Sequence, residues 1–282
     1  MTGNRTLRYK YPAVITIAGS DSGGGAGIQA DLKTFAALGC YGSSAITAVT
    51  VQNTLGVQAI HSIPAEIVEG QIRAVMDDIK PAAVKVGMVH TPELASIINE
   101  TLKNYPGVPV IFDPVMISTS GHKLILDDTI AALKAGLIVS ADLLTPNLDE
   151  AVLLCGKRIK SLDDMLEAAK LLIGFGCKAV LLKGGHLNGP IMYDVYVSAE
   201  GFSTVFNAAH IQTRNTHGTG CTLSAAIAAK LALGYSMIPA IDSAKSYLSS
   251  ALEHGRDVQT GAGSGPLNHF FKPEQQQKLD FH

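Results

Sequence analysis

Charged side chains are scarce in this chain: they make up 16% of its 282 residues, and their formal balance is −2. So little net charge excludes the basic surface that nucleic acid or an anionic membrane requires. No apolar run approaches the length of a membrane span. The apolar run at residues 13–18 is also too short for a signal-peptide core. With 47% apolar residues, the composition predicts a compact globular protein.

Cysteines are few and widely spaced, at Cys40, Cys155, Cys177 and Cys221. They form no CxxC pair and no metal-finger spacing, which excludes a zinc module and fits a reducing, cytoplasmic location. The P-loop pattern GxxxxGK[ST] is absent as well. With a net charge of only −2, any phosphate binding must come from local backbone dipoles, a few lysines and a metal ion.

Short apolar runs alternate with helical patterns along the chain. This alternation predicts an α/β fold, a mainly parallel sheet covered by helices on both faces, in three αβα layers. We expect a flexible arm at residues 1–12, a single domain over 13–282, and a small β flap. The predicted strands are 13–18, 43–52 and 57–63 (the flap), 82–87, 108–113, 142–145 and 179–184, with a hairpin over 189–206. The predicted helices are 28–38, 65–79, 92–104, 127–138, 147–155, 161–175, 219–233 and 238–254.

The most informative segment is Gly218-Thr219-Gly220-Cys221, which opens an apolar helix. Two glycines leave the backbone bare where the first-turn amides have no intrahelical partner, which predicts an anion site. Cys221 lies on the same turn, where the helix dipole lowers a thiol pKa. A phosphoryl site beside a proton acceptor predicts a small-molecule kinase, with these four residues as catalytic candidates.

A second glycine-rich loop, residues 19–27, follows the first strand. Gly25–Ala30 matches the dinucleotide pattern GxGxxA, but the acidic residue expected on the second strand is missing, because the first carboxylate after Asp31 is Glu66. A nicotinamide site is therefore disfavoured. Five glycines within nine residues exceed the needs of a turn and predict close approach of a ligand to the backbone.

Three polar side chains follow successive strands. Asp113 and Glu150 are candidate Mg²⁺ ligands, because Mg²⁺ favours one or two carboxylates plus substrate phosphates. Lys183 is a candidate phosphate ligand. Each also has a purely structural interpretation: a turn before proline for Asp113, a capping box with Asn147 for Glu150, and a solvated edge for Lys183.

Two histidines near these loops, His186 and His217, carry weak signals. Single histidines in such positions usually serve as hydrogen-bonded scaffolding, and neither is our candidate base.

Together these motifs resemble the ribokinase-like superfamily, specifically the hydroxymethylpyrimidine and phosphomethylpyrimidine kinases of thiamine biosynthesis. The resemblance covers roughly residues 12–270. It rests on the segments 17–21, 24–34, 52–54, 85–88, 113–116, 145–151, 182–186 and 215–222.

The resemblance implies ATP and magnesium as cofactors and 4-amino-5-hydroxymethyl-2-methylpyrimidine and its monophosphate as substrates. It also implies a homodimer. The pyrimidine would lie near Gly19, Ala26, Asp31 and Met88, with Gln52 reading its amino edge. Some family members carry Glu at this position, but a neutral amide can also donate and accept. The resemblance further implies Asp113 and Glu150 as metal ligands, and Lys183, Asn147 and Thr216 as nucleotide or phosphate ligands.

Two alternatives stay open at this stage. A pyridoxal or pyridoxine kinase would share the chemistry and differ only in its ring pocket. A non-catalytic metabolite-binding protein on the same fold would have no need of Asp113, Glu150, Lys183 and Cys221 together.

Overall fold

A computed structural model describes residues 8–117, 121, 123–126, 128–185 and 190–280. Its strands and helices alternate through most of the chain, as the apolar pattern predicts. The strands are β1 (Tyr9–Lys10), β2 (Ala13–Asp21), β3 (Tyr41–Asn53), β4 (Gly56–Ser62), β5 (Ala83–Val86), β6 (Val110–Phe112), β7 (Leu143–Leu144), β8 (Ala179–Lys183), β9 (Ile191–Ser198), β10 (Ser203–Ala209) and β11 (Leu279–Asp280).

Several helices begin at caps that the sequence encodes. Thr91 accepts the N–H of Leu94 and precedes a proline at the first helical position. Capping boxes open two further helices, one of them built by Asn147 and Glu150. The helices are α1 (Gly27–Ala37), α2 (Ala65–Asp78), α3 (Pro92–Leu102), α4 (Thr129–Ala135), α5 (Leu137–Ser140), α6 (Leu148–Cys155), α7 (Leu162–Ile173), α8 (Thr219–Ala232) and α9 (Met237–Gly255).

Within the described residues, nine strands form one sheet in the order β10-β9-β8-β7-β6-β5-β2-β3-β4. The six strands from β8 to β3 are parallel, and antiparallel hairpins extend the sheet at both edges. The parallel strands point their carboxyl ends to one edge of the sheet, which is where ligands bind in open α/β folds.

Successive residues of each central strand enter different hydrophobic cores. Ile15, Val84 and Phe112 pack with α2, α3, α6 and α7 on one face. Their neighbours Val14, Ala83 and Ile111 pack with α8 and α9 on the other face. The strands are buried on both sides because they read as continuous apolar runs. This three-layer αβα arrangement confirms the predicted fold class.

One predicted helix is wrong. The segment 127–138 is not continuous: α4 ends at Ala135, Gly136 leaves helical geometry at φ −133° and ψ −86°, and a short α5 follows. Gly136 lies against the side chain of Asn99, which also accepts a hydrogen bond from Ser140 at 2.7 Å. This tertiary contact holds the break.

The chain ends meet in a ribbon that the sequence pattern did not predict. Tyr9 and Lys10 of the predicted arm pair antiparallel with Asp280 and Leu279. Residues 1–7 of that arm lie outside the described residues. The predicted flap corresponds to β4 and the second half of β3, at one edge of the main sheet.

In the described part of the chain, no helix combines the length and apolar character needed to cross a bilayer.

The buried His269 makes stability depend on pH. Its Nε2 lies 3.0 Å from the Thr222 hydroxyl on α8, and burial lowers its pKa from 6.5 to about 4. Between pH 6.5 and 4, His269 is protonated in the unfolded chain but stays neutral in the folded chain. The free energy of unfolding should therefore fall between pH 6.5 and 4, by up to about 3 kcal/mol from this group.

Chemical denaturation of the wild type and His269→Gln at several pH values between 4 and 8 measures this effect. In the variant, the free energy of unfolding should fall less steeply between pH 6.5 and 4 than in the wild type. Parallel curves would show that His269 does not carry the pH dependence.

Candidate active site

A cavity of about 670 Å³ opens at the carboxyl edge of the parallel strands, beside the start of α8. It collects nearly all of the residues that the sequence singled out. These are Gly19, Ala26, Gln52, Met88, Asp113, Asn147, Glu150, Lys183, Thr216, Gly218, Thr219, Gly220 and Cys221.

The two glycine-rich segments touch backbone to backbone in the wall of this cavity. Gly218 has φ +87°, and a Cβ there would lie 1.9 Å from the carbonyl oxygen of Gly25. Gly27 has φ +55°, and a Cβ there would lie 2.2 Å from the carbonyl oxygen of Gly19. Only glycine satisfies both the conformation and the spacing at these two positions.

The first turn of α8 presents amides to the cavity. Its first intrahelical bond runs from the Thr222 N–H to the Gly218 carbonyl at 2.8 Å, so the amides of Gly220 and Cys221 precede the helical ladder. A Cβ at Gly220 would lie 3.2 Å from Lys183 Nζ and 3.3 Å from Asp113 Oδ2. An anion at this turn would thus have amides, a helix dipole and an ammonium group around it.

Two carboxylates and a lysine form a charged cluster under the turn. Lys183 Nζ lies 2.7 Å from Asp113 Oδ1, and Thr145 donates a hydrogen bond to the same oxygen. Glu150 is buried in its capping box with Asn147, and burial raises its pKa to about 7 against the lowering effect of Lys183. The structural interpretation of Glu150 is therefore correct, and the side chain also lines the cavity.

The donor set suits a magnesium ion that is completed by substrate. Among the described residues, no group of three or more His, Cys, Asp and Glu side chains could hold a metal ion. Asp113 and Glu150 line one cavity as a pair of carboxylates. Mg²⁺ typically takes one or two carboxylates and keeps its other positions for water and phosphate oxygens. The residues fit such an ion.

The expected low pKa of the Cys221 thiol is wrong. Cys221 does lie on the first turn of α8, but burial raises its pKa to about 11, although the Lys85 charge pulls the other way. The helix dipole acts on a group that is 8% exposed, so the lost hydration of the thiolate outweighs it. With this pKa, Cys221 is a neutral thiol at pH 7.

Asp31 is the one predicted ligand residue that does not line the cavity. It is fully buried, accepts a hydrogen bond from Thr16 at 2.6 Å and pairs with Lys85 at 2.8 Å. Lys85 itself reaches the cavity, although it was not among the predicted site residues. Burial would lower the pKa of Lys85, but Asp31, Cys221 and Asp113 raise it above its usual value. Asp31 therefore acts on the cavity indirectly, by pairing with the Lys85 ammonium group that lines it.

A second pair that the sequence analysis missed joins the glycine loops. His217 Nε2 lies 2.8 Å from Asp21 Oδ2, and both side chains line the cavity beside Gln52. The expectation that His217 is hydrogen-bonded scaffolding fits this contact, whereas His186 lies outside the described residues. The signal for Asp21 was available, because it ends a buried parallel strand just as Asp113 follows one.

A third ion pair also lines the cavity. Lys245 of α9 pairs with Asp194 of β9, and Asp194 also accepts the N–H of Gly184 at 2.9 Å. No local pattern predicts this pair, since its members lie 51 residues apart and on different elements.

Comparison with known proteins identifies the family. Residues 21–268 match the family model described as phosphomethylpyrimidine kinase. The hydroxymethylpyrimidine/phosphomethylpyrimidine kinase of Rhizobium meliloti is 48% identical over 259 residues, which cover 92% of this chain and 97% of that protein. Two chloroplastic bifunctional thiamine biosynthetic enzymes also match, and the chain spans about half of their length.

Two solved structures show the same architecture. The phosphomethylpyrimidine kinase of Clostridium difficile has a TM-score of 0.76 at 44% identity, covering 85% of this chain and 99% of that one. The pyridoxal kinase of Staphylococcus aureus in complex with AMP-PCP and pyridoxal has a TM-score of 0.83 at 33% identity, covering 93% and 94%. With this match of sequence, fold and cavity, the chain belongs to the phosphomethylpyrimidine kinase family of ribokinase-like enzymes.

Proposed function

We propose that this protein transfers the terminal phosphoryl group of ATP to 4-amino-5-hydroxymethyl-2-methylpyrimidine. It then phosphorylates the resulting monophosphate to the pyrophosphate that thiamine biosynthesis uses. The observation that carries the proposal is the convergence of the first turn of α8, Lys183, Asp113 and Cys221 on one cavity. Three relatives named hydroxymethylpyrimidine/phosphomethylpyrimidine kinase align over 94% to 97% of their length.

ATP is the donor that the site suits. A related pyridoxal kinase forms a complex with the ATP analogue AMP-PCP, and the described cavity offers amides and Lys183 where phosphates need positive partners. Asp113 and Glu150 would hold Mg²⁺, which when bound neutralises charge on the phosphate oxygens. Asn147 and Thr216 line the same cavity and complete the proposed nucleotide side. Pairing as a homodimer stays a prediction from the family resemblance.

Positioning supplies most of the proposed rate enhancement. The first turn of α8 and the Lys183 ammonium lie together in one cavity before the reaction, so they would stabilise charge on the migrating group without reorganisation. Cys221 is the proposed acceptor of the hydroxymethyl proton. Because its thiol is neutral at pH 7, only a small thiolate fraction is available in the free enzyme, and that fraction grows with pH.

The two phosphorylation steps make different demands on Cys221. The first acceptor is an alcohol, which must lose a proton as it is phosphorylated. The second acceptor is a phosphate monoester, which is already largely ionised at neutral pH. A base is therefore needed in the first step and dispensable in the second.

The substrate assignment is tested by steady-state kinetics with ATP, Mg²⁺ and three acceptors: the hydroxymethylpyrimidine, its monophosphate and pyridoxal. Both pyrimidines should be phosphorylated with a kcat/KM well above that for pyridoxal, since relatives named pyrimidine kinases share more sequence identity with this chain than the pyridoxal kinase does. Preference for pyridoxal would contradict the assignment, and binding without turnover would contradict catalysis.

Cys221→Ala separates the two steps. We expect kcat for the hydroxymethylpyrimidine to fall by about 10²-fold or more, with pyrimidine binding unchanged, because a base contributes about 10² to 10⁴. The second phosphorylation should change far less. In the wild type, the first step should accelerate as pH rises from 7 to 9, because the thiolate fraction grows toward a pKa of about 11.

Single-turnover rates on each acceptor, measured across that pH range, check this prediction. The pH dependence should disappear from the first step in Cys221→Ala. Equal losses in both steps would remove Cys221 from the role of proton acceptor.

Gly218→Ala tests the contact between the glycine loops. Its Cβ would meet the Gly25 carbonyl oxygen at 1.9 Å, so the loops must separate and the first turn of α8 must shift. Gly234→Ala is a matched control, because Gly234 has nearly the same φ of +89° but no atom within 4 Å of the new Cβ. Both substitutions strain the backbone by about 1 kcal/mol or more, but only the first displaces the site.

Kinase assays and thermal melts on both variants give the readout. Gly218→Ala should lose about 10²-fold or more in kcat/KM, whereas Gly234→Ala should keep its activity with a small fall in Tm. Similar activity in the two variants would show that the loop contact does not position the site.

A further inference from the structure

His217 lines the cavity, but the proposed phosphoryl transfer assigns it no role. Its Nε2 lies 2.8 Å from Asp21 Oδ2. Asp21 in turn accepts the backbone N–H groups of Gly23, Gly25 and Ala26 at 2.8 to 3.0 Å. The imidazole thus connects the segment before α8 to the first glycine-rich loop.

These contacts define which ring nitrogen carries a proton. Burial alone would raise the pKa of Asp21, but hydrogen bonds from His217, Gly23 and Ala26 outweigh it and hold the pKa below its usual value. Asp21 is therefore an ionised acceptor at neutral pH. An acceptor 2.8 Å from His217 Nε2 requires a proton on that nitrogen.

The same N–H faces the amide of Gln52. Gln52 Nε2 lies 3.3 Å from His217 Nε2, which brings two donors together. Rotating the amide by half a turn exchanges its oxygen and nitrogen without moving any other atom. The Gln52 oxygen then accepts from the His217 Nε2–H, which it shares with Asp21 in a bifurcated hydrogen bond. The Gln52 nitrogen then donates to the Thr50 hydroxyl, which can still donate to the Ser20 carbonyl at 3.0 Å. Only this exchanged orientation removes the contact between the two donors and leaves the Thr50 hydroxyl proton for the Ser20 carbonyl.

We propose that His217 is a specificity-determining residue that locks the Gln52 amide in one orientation. The locked amide keeps one free N–H and one free lone pair for a ligand. His217 fixes the side on which the oxygen lies, and Thr50 fixes the side on which the nitrogen lies. The lock selects ring edges with a complementary order of acceptor and donor, such as a ring nitrogen beside an exocyclic amino group. This inference rests on the proposed function, because it assigns the recognition of the substrate ring to that site.

The lock excludes a specific class of ligand. Replacing the exocyclic amino group by an oxo group reverses the edge, since the ring nitrogen then carries a proton and the oxygen accepts. A freely rotating glutamine would flip and bind both edges. A locked glutamine faces the oxo edge with donor against donor and acceptor against acceptor, and it rejects that edge.

The experiment compares kcat/KM for the hydroxymethylpyrimidine and for its 4-oxo analogue, in the wild type and in two His217 variants. The wild type should favour the amino substrate by about 10²-fold or more, as expected when a buried hydrogen-bonding site is left mispaired. His217→Leu removes the N–H, and the ratio should fall by about tenfold or more. His217→Gln places an amide N–H near the former Nε2 and should keep the ratio.

A second variant covers the case in which His217→Leu does not fold. Thr50→Val removes the hydroxyl on the other side of the amide at nearly constant volume, and it should lower the same ratio. Calorimetric titration of each variant with both compounds, without ATP, should give the same ranking of affinities.

The outcomes separate this inference from the proposed function. No turnover of the amino substrate by the wild type would contradict the proposed function itself. Turnover with an unchanged ratio in both His217→Leu and Thr50→Val would overturn the lock alone. An equal loss for both substrates would overturn it too, because that result describes a structural role.

Discussion

The site depends on the contact between two backbone segments that lie almost two hundred residues apart. Gly218, at the start of α8, approaches the Gly25 carbonyl so closely that no side chain fits between them. The Asp21–His217 pair fastens the same junction from the side. Because β2 and α8 are both anchored in the buried layers, this contact fixes the α8 amides relative to the floor of the cavity. The proposed phosphate site and the proposed ring site are thereby held in a fixed position relative to each other.

Each lysine that lines the cavity is paired with a carboxylate. Lys183 pairs with Asp113, Lys85 with Asp31, and Lys245 with Asp194. Removing one partner of such a buried pair would leave an uncompensated charge, so each pair is sensitive to truncation. The pairs also explain how a chain with a formal balance of −2 can present positive groups to a nucleotide without a basic surface.

The fold follows from the sequence because its signals are local. Apolar strands with two buried faces and the Asn147–Glu150 capping box each act within a few residues, and both appear at the predicted places. The break at Gly136 was missed because its cause, the side chain of Asn99, lies on another helix.

The chemistry of the site was harder to predict from the sequence, because it depends on burial and on pairs of residues that lie far apart in the chain. The position of Cys221 could be predicted from two glycines and a helix, but its pKa depends on desolvation that no short segment encodes. Asp31 falls within a recognisable motif, yet its partner Lys85 is 54 residues away. The Asp21–His217 pair spans 196 residues. Sequence patterns therefore located the cavity residues well and their protonation and pairing poorly.

The central claim is that the first turn of α8 holds the migrating phosphoryl group between nucleotide and alcohol. A crystal structure of the protein with AMP-PCP, Mg²⁺ and the hydroxymethylpyrimidine tests it most directly. The account predicts that oxygens of the terminal phosphate lie within hydrogen-bonding distance of the Gly220 and Cys221 amides, with the substrate hydroxyl facing the same phosphorus. A terminal phosphate bound elsewhere in the cavity, beyond reach of those amides, would contradict it.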